Sequence, residues 1–182
     1  FVVPALAMRM WAEERKSGTI ELLMTLPISR FESVVGKFLA AWVFAGIALL
    51  LTFPMVLTVN YLGDPDNGAI LTGYVGSWLL VGAYLAVGSC MSALAKNQVI
   101  AFILTVSLCF VFVVSGFPLV LDAFNAWAPQ WLLDVVASFS FLTRFQAISK
   151  GVIDVRDLLY FLSFIGAWLM ATAVVVDLKK AD

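Results

Sequence analysis

The sequence predicts an all-α fold, a polytopic bundle of transmembrane helices, and three observations predict it. Of the 182 residues, 63% are hydrophobic and 13% charged, with a mean hydropathy of +1.02; soluble domains run at roughly 45–50% apolar and about 25% charged. Four long runs contain no Asp, Glu, Lys, Arg or His. The basic residues gather on alternate sides of those runs. A water-soluble chain of this length could not hide so much apolar surface, so lipid is the implied solvent. The net charge of -1, with eleven Lys and Arg scattered between apolar blocks, argues against a nucleic-acid partner, because phosphate binding needs a clustered basic face.

A hydrocarbon core about 30 Å thick takes roughly 20 apolar residues in a helix. The runs at 38–60, 69–95, 99–121 and 158–176 meet that length. Residues 1–8 read as the cytoplasmic end of a fifth span. The chain opens inside an apolar stretch without a basic leader, so a fragment lacking its upstream part is expected.

Orientation follows from the positive-inside rule. Arg9, Arg15, Lys16, Arg30, Lys37, Lys96, Lys179 and Lys180 fall on one side, and only Arg144, Lys150 and Arg156 on the other. The first side, with the 9–37 segment, the Lys96 loop and the C-terminus, is therefore expected in the cytoplasm. The segment 122–157 is too polar to cross. Trp127, Trp131, Leu132, Val135, Val136 and Phe139 recur at helical spacing after Pro129, which predicts a short helix on the outer interface with its indoles at headgroup level.

Absences narrow the chemistry. Intramembrane ionisable groups mark ion paths, and the four runs hold none; a proton- or sodium-coupled carrier is disfavoured. Only Pro54 and Pro118 could break a span. Without His there is no H-E-x-x-H helix and no Ser-His or Cys-His pair, so no catalytic residue and no metal or cofactor site is expected. No phosphate loop occurs either, so ATP hydrolysis, if used, belongs to a partner. Cys90 and Cys109 read as small buried or lipid-facing side chains. Gly82, Ala86 and Gly88 have the spacing of a close helix contact, read as packing within the subunit rather than a dimer seam. Phe110, Phe112, Phe139 and Phe141 likewise read as packing or lipid surface.

The polar interest lies in residues 9–37, RMWAEERKSGTIELLMTLPISRFESVVGK. A helical piece through Trp11 to Lys16 can stop at Gly18 in the left-handed conformation. Thr19 can cap a second piece, with Glu21 in its first turn and Leu22, Leu23 and Leu26 as an apolar stripe before Pro27. Ser29 and Glu32 have capping-box spacing for the helix entering the membrane. A short helix between two spans can dock in another protein's groove or rest on the headgroups, and the pattern fits both equally.

The run Glu13 to Ser29, followed by Gly36 and Lys37, resembles the first cytoplasmic loop of ABC-2 type ABC transporter permeases, nearest the gliding-motility-associated subgroup, a relative of the nitrous-oxide-reductase copper-maturation permease. Ala95-Lys96-Asn97-Gln98 through Phe102, and Ser149 through Leu158, agree with it. The resemblance implies a six-span ABC-2 type permease fold, of which the first span and most of the second would lie upstream. It implies a single membrane domain over 1–182 that dimerises, as homo- or heterodimer, in the bacterial inner membrane. Each subunit would bind a cytoplasmic ATP-binding cassette ATPase through Glu13, Glu14, Arg15, Lys16, Gly18, Thr19, Ile20, Glu21, Leu22 and Leu23, coupling hydrolysis to transport, with export the implied direction. The competing reading is a non-transport scaffold or sensor that recruits a cytoplasmic partner through the same loop. Nothing in the spans identifies a substrate.

Overall fold

The computed structural model describes residues 2–19, 29–117, 120, 122, 129–131, 140–151 and 154–178. Helices build the described chain throughout: α1 (Val2–Ala7), α2 (Arg9–Ser17), α3 (Arg30–Leu50), α4 (Phe53–Leu62), α5 (Asn67–Leu94), α6 (Gln98–Val114), α7 (Phe141–Ser149) and α8 (Val155–Leu178). Phe31–Leu62, Asn67–Leu94 and Val155–Leu178 are each long and apolar enough to cross a membrane. The protein is a helical membrane bundle, as its composition requires.

Local chemistry sets the helix ends. Ser29 Oγ accepts the Glu32 N–H at 3.3 Å and the Glu32 carboxylate accepts the Ser29 N–H at 2.8 Å, so the expected capping box starts α3. Asp66 caps α5 through the amides of Gly68 and Ala69, and Asn97 caps α6 through that of Val99. Pro54 breaks the first long span as expected. It lies in the first turn of α4, and around it the 47–52 backbone pairs partly three residues back, with Thr52 N–H on the Leu49 carbonyl. Across the turn between α4 and α5, Asn60 and Asn67 exchange amide hydrogen bonds at 2.9 and 3.0 Å.

α5 is the central helix, touching α1, α2, α3, α6, α7 and α8. In lipid the apolar effect does not press helices together, and close packing at small residues takes its place. A glycine marks each main crossing on α5: Gly76 faces Ile148 and Phe145 of α7, Gly82 faces Trp42 of α3 and Ile165 of α8, and Gly88 faces Ala7 and Thr105. Gly82, Ala86 and Gly88 are all buried in the bundle.

Trp42 and Trp78 form a reciprocal clasp between α3 and α5. Trp42 Nε1 donates to the Trp78 carbonyl at 2.9 Å and Trp78 Nε1 to the Trp42 carbonyl at 3.3 Å. The rings stack with centroids 4.3 Å apart. Each ring lies over the glycine four residues beyond the other Trp, Gly82 and Gly46, where an added Cβ would stand 2.8 Å from an indole nitrogen. The sequence carries this as W-x-x-x-G written twice, at 42–46 and 78–82.

The chain between Val99 and Asp157 differs from the sequence expectation in two ways. The expected 99–121 span forms one continuous helix from Gln98 to Val114, and after the turn that follows it Gly116 lies against Ser140. Within 122–157, α7 does not sit apart from the bundle: it runs back along α5 from Tyr84 toward its N-terminus, with Phe141 beside Tyr84, Ile148 on Gly76 and Gly151 near Ala69. Two small residues, Gly116 and Ser140, permit that approach. The helix expected after Pro129 lies mostly outside the described residues, although Trp131 is exposed. Phe112 and Phe141 pack with Phe161, Phe164 and Trp168, while Phe110 is exposed; Phe139 lies outside the described residues. Cys90 and Cys109 are buried thiols.

Candidate functional site: the 9–37 segment and its clamp

The expected first helical piece is α2, and it ends where the sequence placed its stop. Gly18 adopts φ 72 and ψ 5, the left-handed cap. Nothing lies within 4 Å of a Cβ built there, so the demand for glycine is conformational and not steric.

Serine, arginine and lysine side chains hold α2 against the bundle. Ser92 Oγ accepts the N–H groups of Trp11 and Ala12 at 3.0 Å each and donates to the Met8 carbonyl at 2.9 Å. An uninterrupted helix would pair Ala12 N–H with the Met8 carbonyl, so a hydroxyl from α5 stands inside the ladder and makes the break between α1 and α2. It also satisfies first-turn amides that Met8 has no side chain to cap. Trp11 is buried and donates Nε1 to Ser89 Oγ at 3.1 Å. Arg15 Nη1 donates to the Ala93 carbonyl at 2.9 Å, a cation at the carbonyl end of α5 where the helix dipole favours it.

From α3, Lys37 closes the other side. Its ammonium pairs with Glu14, donates to the Met10 carbonyl at 3.1 Å, and lies 4.2 Å from the Trp11 ring centroid. The two helices that bracket the loop are thereby tied together at its base, and a small cluster of Ala12, Ala95 and Ala101 with Met8 seats α2 on the α5–α6 corner.

The residues singled out for the partner interface therefore divide. Glu13, Lys16, Gly18 and Thr19 are exposed, with Thr19 bonded to Ser17 through their hydroxyls at 2.9 Å. Glu14 and Arg15 are turned inward, bound to Lys37 and to the Ala93 carbonyl. Ile20, Glu21, Leu22 and Leu23 lie outside the described residues, as do Leu26 and Pro27. Sequence reasoning missed Ser89 and Ser92, although two serines three apart on one face of an apolar helix were the available signal. Lys37 entered the sequence reading as one of the basic residues that set orientation and, with Gly36, as part of the resemblance, but not as a partner of α2.

A helical membrane bundle with a polar 9–37 segment clamped at its base defines the class. A family model described as ABC-2 family transporter protein matches residues 1–178, and the chain belongs to that family. It is a membrane permease component of an ABC transporter, associates with an ABC ATPase partner and is not itself the ATPase. Among curated proteins, none matches the chain.

Proposed function

We propose that residues 9–37 are the coupling segment on which the cytoplasmic ATPase sits, and that this subunit converts ATP hydrolysis there into transport, in the export direction. The observation that carries the reading is the clamp. A loop meant to transmit force needs a stiff base, and Ser92, Arg15 and the Lys37–Glu14 pair tie α2 to α5 and α3. Exposed Glu13, Lys16 and Thr19 then form the outward face. Closure of a pair of ATPases would push that face and tilt α3 and α5 as rigid bodies.

Two such subunits, alike or different, form the path in the bacterial inner membrane, with the 9–37 segment, the Lys96 loop and the C-terminus cytoplasmic. The distribution of Lys and Arg supports that orientation. Within the family we group the chain with the gliding-motility-associated permeases, on the 13–29, 95–102 and 149–158 stretches.

The test is co-purification of the full-length protein in mild detergent, with and without Glu13→Lys plus Lys16→Glu. Both positions are exposed, so the variant stays folded. An ATPase subunit that travels with the wild type and is lost from the variant supports the coupling segment. A wild-type preparation that never carries an ATPase overturns it.

A further inference from the structure

Beyond Gly46 the packing of α3 against the bundle stops. Val34, Phe38, Ala41, Trp42 and Ala45 belong to the apolar core, and Gly46 meets the Trp78 ring. No residue from Ile47 to Leu62 joins that core, and in α4 only Val56 is even half-buried. A space of about 460 Å³ stands between Ile47 and Leu50 on one wall and Leu71 and Val75 of α5 on the other. A second space of about 410 Å³, lined by Leu49, Gly73 and Phe145 of α7, adjoins the first at Leu49 and Tyr74. Packed helices interdigitate and leave no room of that size, so the last turn of α3 stands off its neighbours.

Three features bound the first space. On the side toward Lys37 sits the Trp42–Trp78 clasp, whose ring planes lie 12° from parallel; one pair of stacked planes resists separation more than rotation. On the side toward α4 the helix is jointed. Thr52 N–H pairs with the Leu49 carbonyl at 3.1 Å and Met55 N–H with the Thr52 carbonyl at 2.9 Å, each three residues back, while Pro54 offers the Leu50 carbonyl no donor. Breaks of this kind supply hinges. Between the walls runs a hydrogen bond. Thr52 Oγ1 donates to the Leu49 carbonyl at 2.6 Å, which uses its single proton, so in its 2.6 Å contact with Tyr74 Oη the phenol is the donor. Past the joint, α4 returns to α5 through residues 63–66 and the Asn60–Asn67 pair.

We infer that α3 rocks on α5 about the Trp42–Trp78 clasp. When the Thr52–Tyr74 bond opens, the part of α3 beyond Gly46 closes onto Leu71 and Val75, and the joint at 51–54 lets α4 stay with the turn. In lipid this swing exchanges acyl contacts for side-chain contacts of the same kind. Neither position then gains much from burial, and a single interhelical hydrogen bond sets the balance. A permanent occupant of the space would instead hold α3 in one place. Because Lys37 ties the other half of α3 to α2, the rocking also reaches the 9–37 segment. The inference concerns this chain alone and does not depend on what drives the motion.

The test is pulsed electron spin resonance on the full-length protein in lipid nanodiscs, with spin labels on paired cysteine substitutions. Leu51→Cys with Ile103→Cys reports α3 against α6, and Leu162→Cys with Ile103→Cys reports α8 against α6. All three positions are exposed, and the native Cys90 and Cys109 are buried. The expected result is two distances for the first pair and one for the second, which also checks the fold of every variant. Tyr74→Phe, which removes the bond to Thr52, should raise the population at the distance absent from the structure several-fold. Ile47→Trp, which fills the space, should leave only the distance the structure shows. A Leu51–Ile103 distribution no wider than that of the second pair overturns the inference, and so does one that neither substitution alters.

Discussion

At the base of the 9–37 segment the Lys37 ammonium touches a carboxylate, a carbonyl and an indole face at once. Partly exposed ion pairs and cation–π contacts are individually worth little, so Lys37→Met should cost about 1–2 kcal/mol in total. Glu14→Gln alone should cost less, and the double variant should show the coupling in a cycle of thermal melts followed by Trp fluorescence. Gly18 tests conformation alone. A β-branched residue resists φ 72, at roughly 1–2 kcal/mol for an L-residue in the left-handed region, whereas Asn tolerates it. Gly18→Val should therefore insert normally and impair substrate-stimulated ATPase activity of the reconstituted complex, with Gly18→Asn close to wild type. Normal stimulation in the Val variant would count against a transmitting role for this turn.

Between elements, long-range polar contacts do what apolar burial cannot. Removing the Ser92 hydroxyl strands two amides and a carbonyl that the α1–α2 break exposes. Ser92→Ala should lower stability by about 1–2 kcal/mol, the usual cost of a lost cap, in a detergent melt. The Gly82 crossing is tighter. A methyl there would meet the Trp42 indole at 2.8–2.9 Å and Ile165 at 3.0 Å, and a stacked indole cannot fold away, so Gly82→Ala should cost about 1–3 kcal/mol as overpacking. The element boundaries were legible from sequence because caps and stops are local: Ser29 with Glu32, Gly18 and Pro54 each act within four residues. The contacts were not. Ser92 lies 80 residues and more from the amides it caps. The bilayer also removes the usual cue, since in water a helix's apolar face marks its buried side, whereas α5 is apolar on both its lipid-facing and packed sides. The place of α7 beside α5 was hidden for a related reason, because polar composition argued only that 122–157 does not cross.

Across the whole molecule, the Arg144–Asp157 pair fastens α8 to α7. Arg144 Nη1 donates to Asp157 Oδ1 at 2.7 Å, and the guanidinium lies 5.3 Å from the Tyr160 ring. Asp157 is nearly buried and Arg144 only partly so, so breaking the pair should cost less than a fully buried one, about 1–3 kcal/mol. Asp157→Asn should loosen α7, read as faster proteolysis near residues 150–156 in proteoliposomes, and the exchanged pair Arg144→Asp with Asp157→Arg should restore part of the loss. Neither charge appears in the four sequence runs, since one stands in the outer segment and the other one residue before the final run. Orientation is a property of the same scale. With Cys90 and Cys109 buried, Ser17→Cys should react with an impermeant maleimide only from the cytoplasmic face, and Gly63→Cys only from the opposite one.

The reciprocal indole clasp has a consequence for biogenesis. Each indole N–H of the pair is satisfied only by a carbonyl on the other helix, and an unsatisfied donor is costly in hydrocarbon. A nascent chain that has released only the first long span into lipid carries one such open group until the next span emerges. The hairpin from Arg30 to Leu94 is thus the smallest unit of this chain that can leave the translocon with these indole donors satisfied. Chains stalled after Leu62 should remain cross-linkable to the translocon, and chains stalled beyond Leu94 should be released.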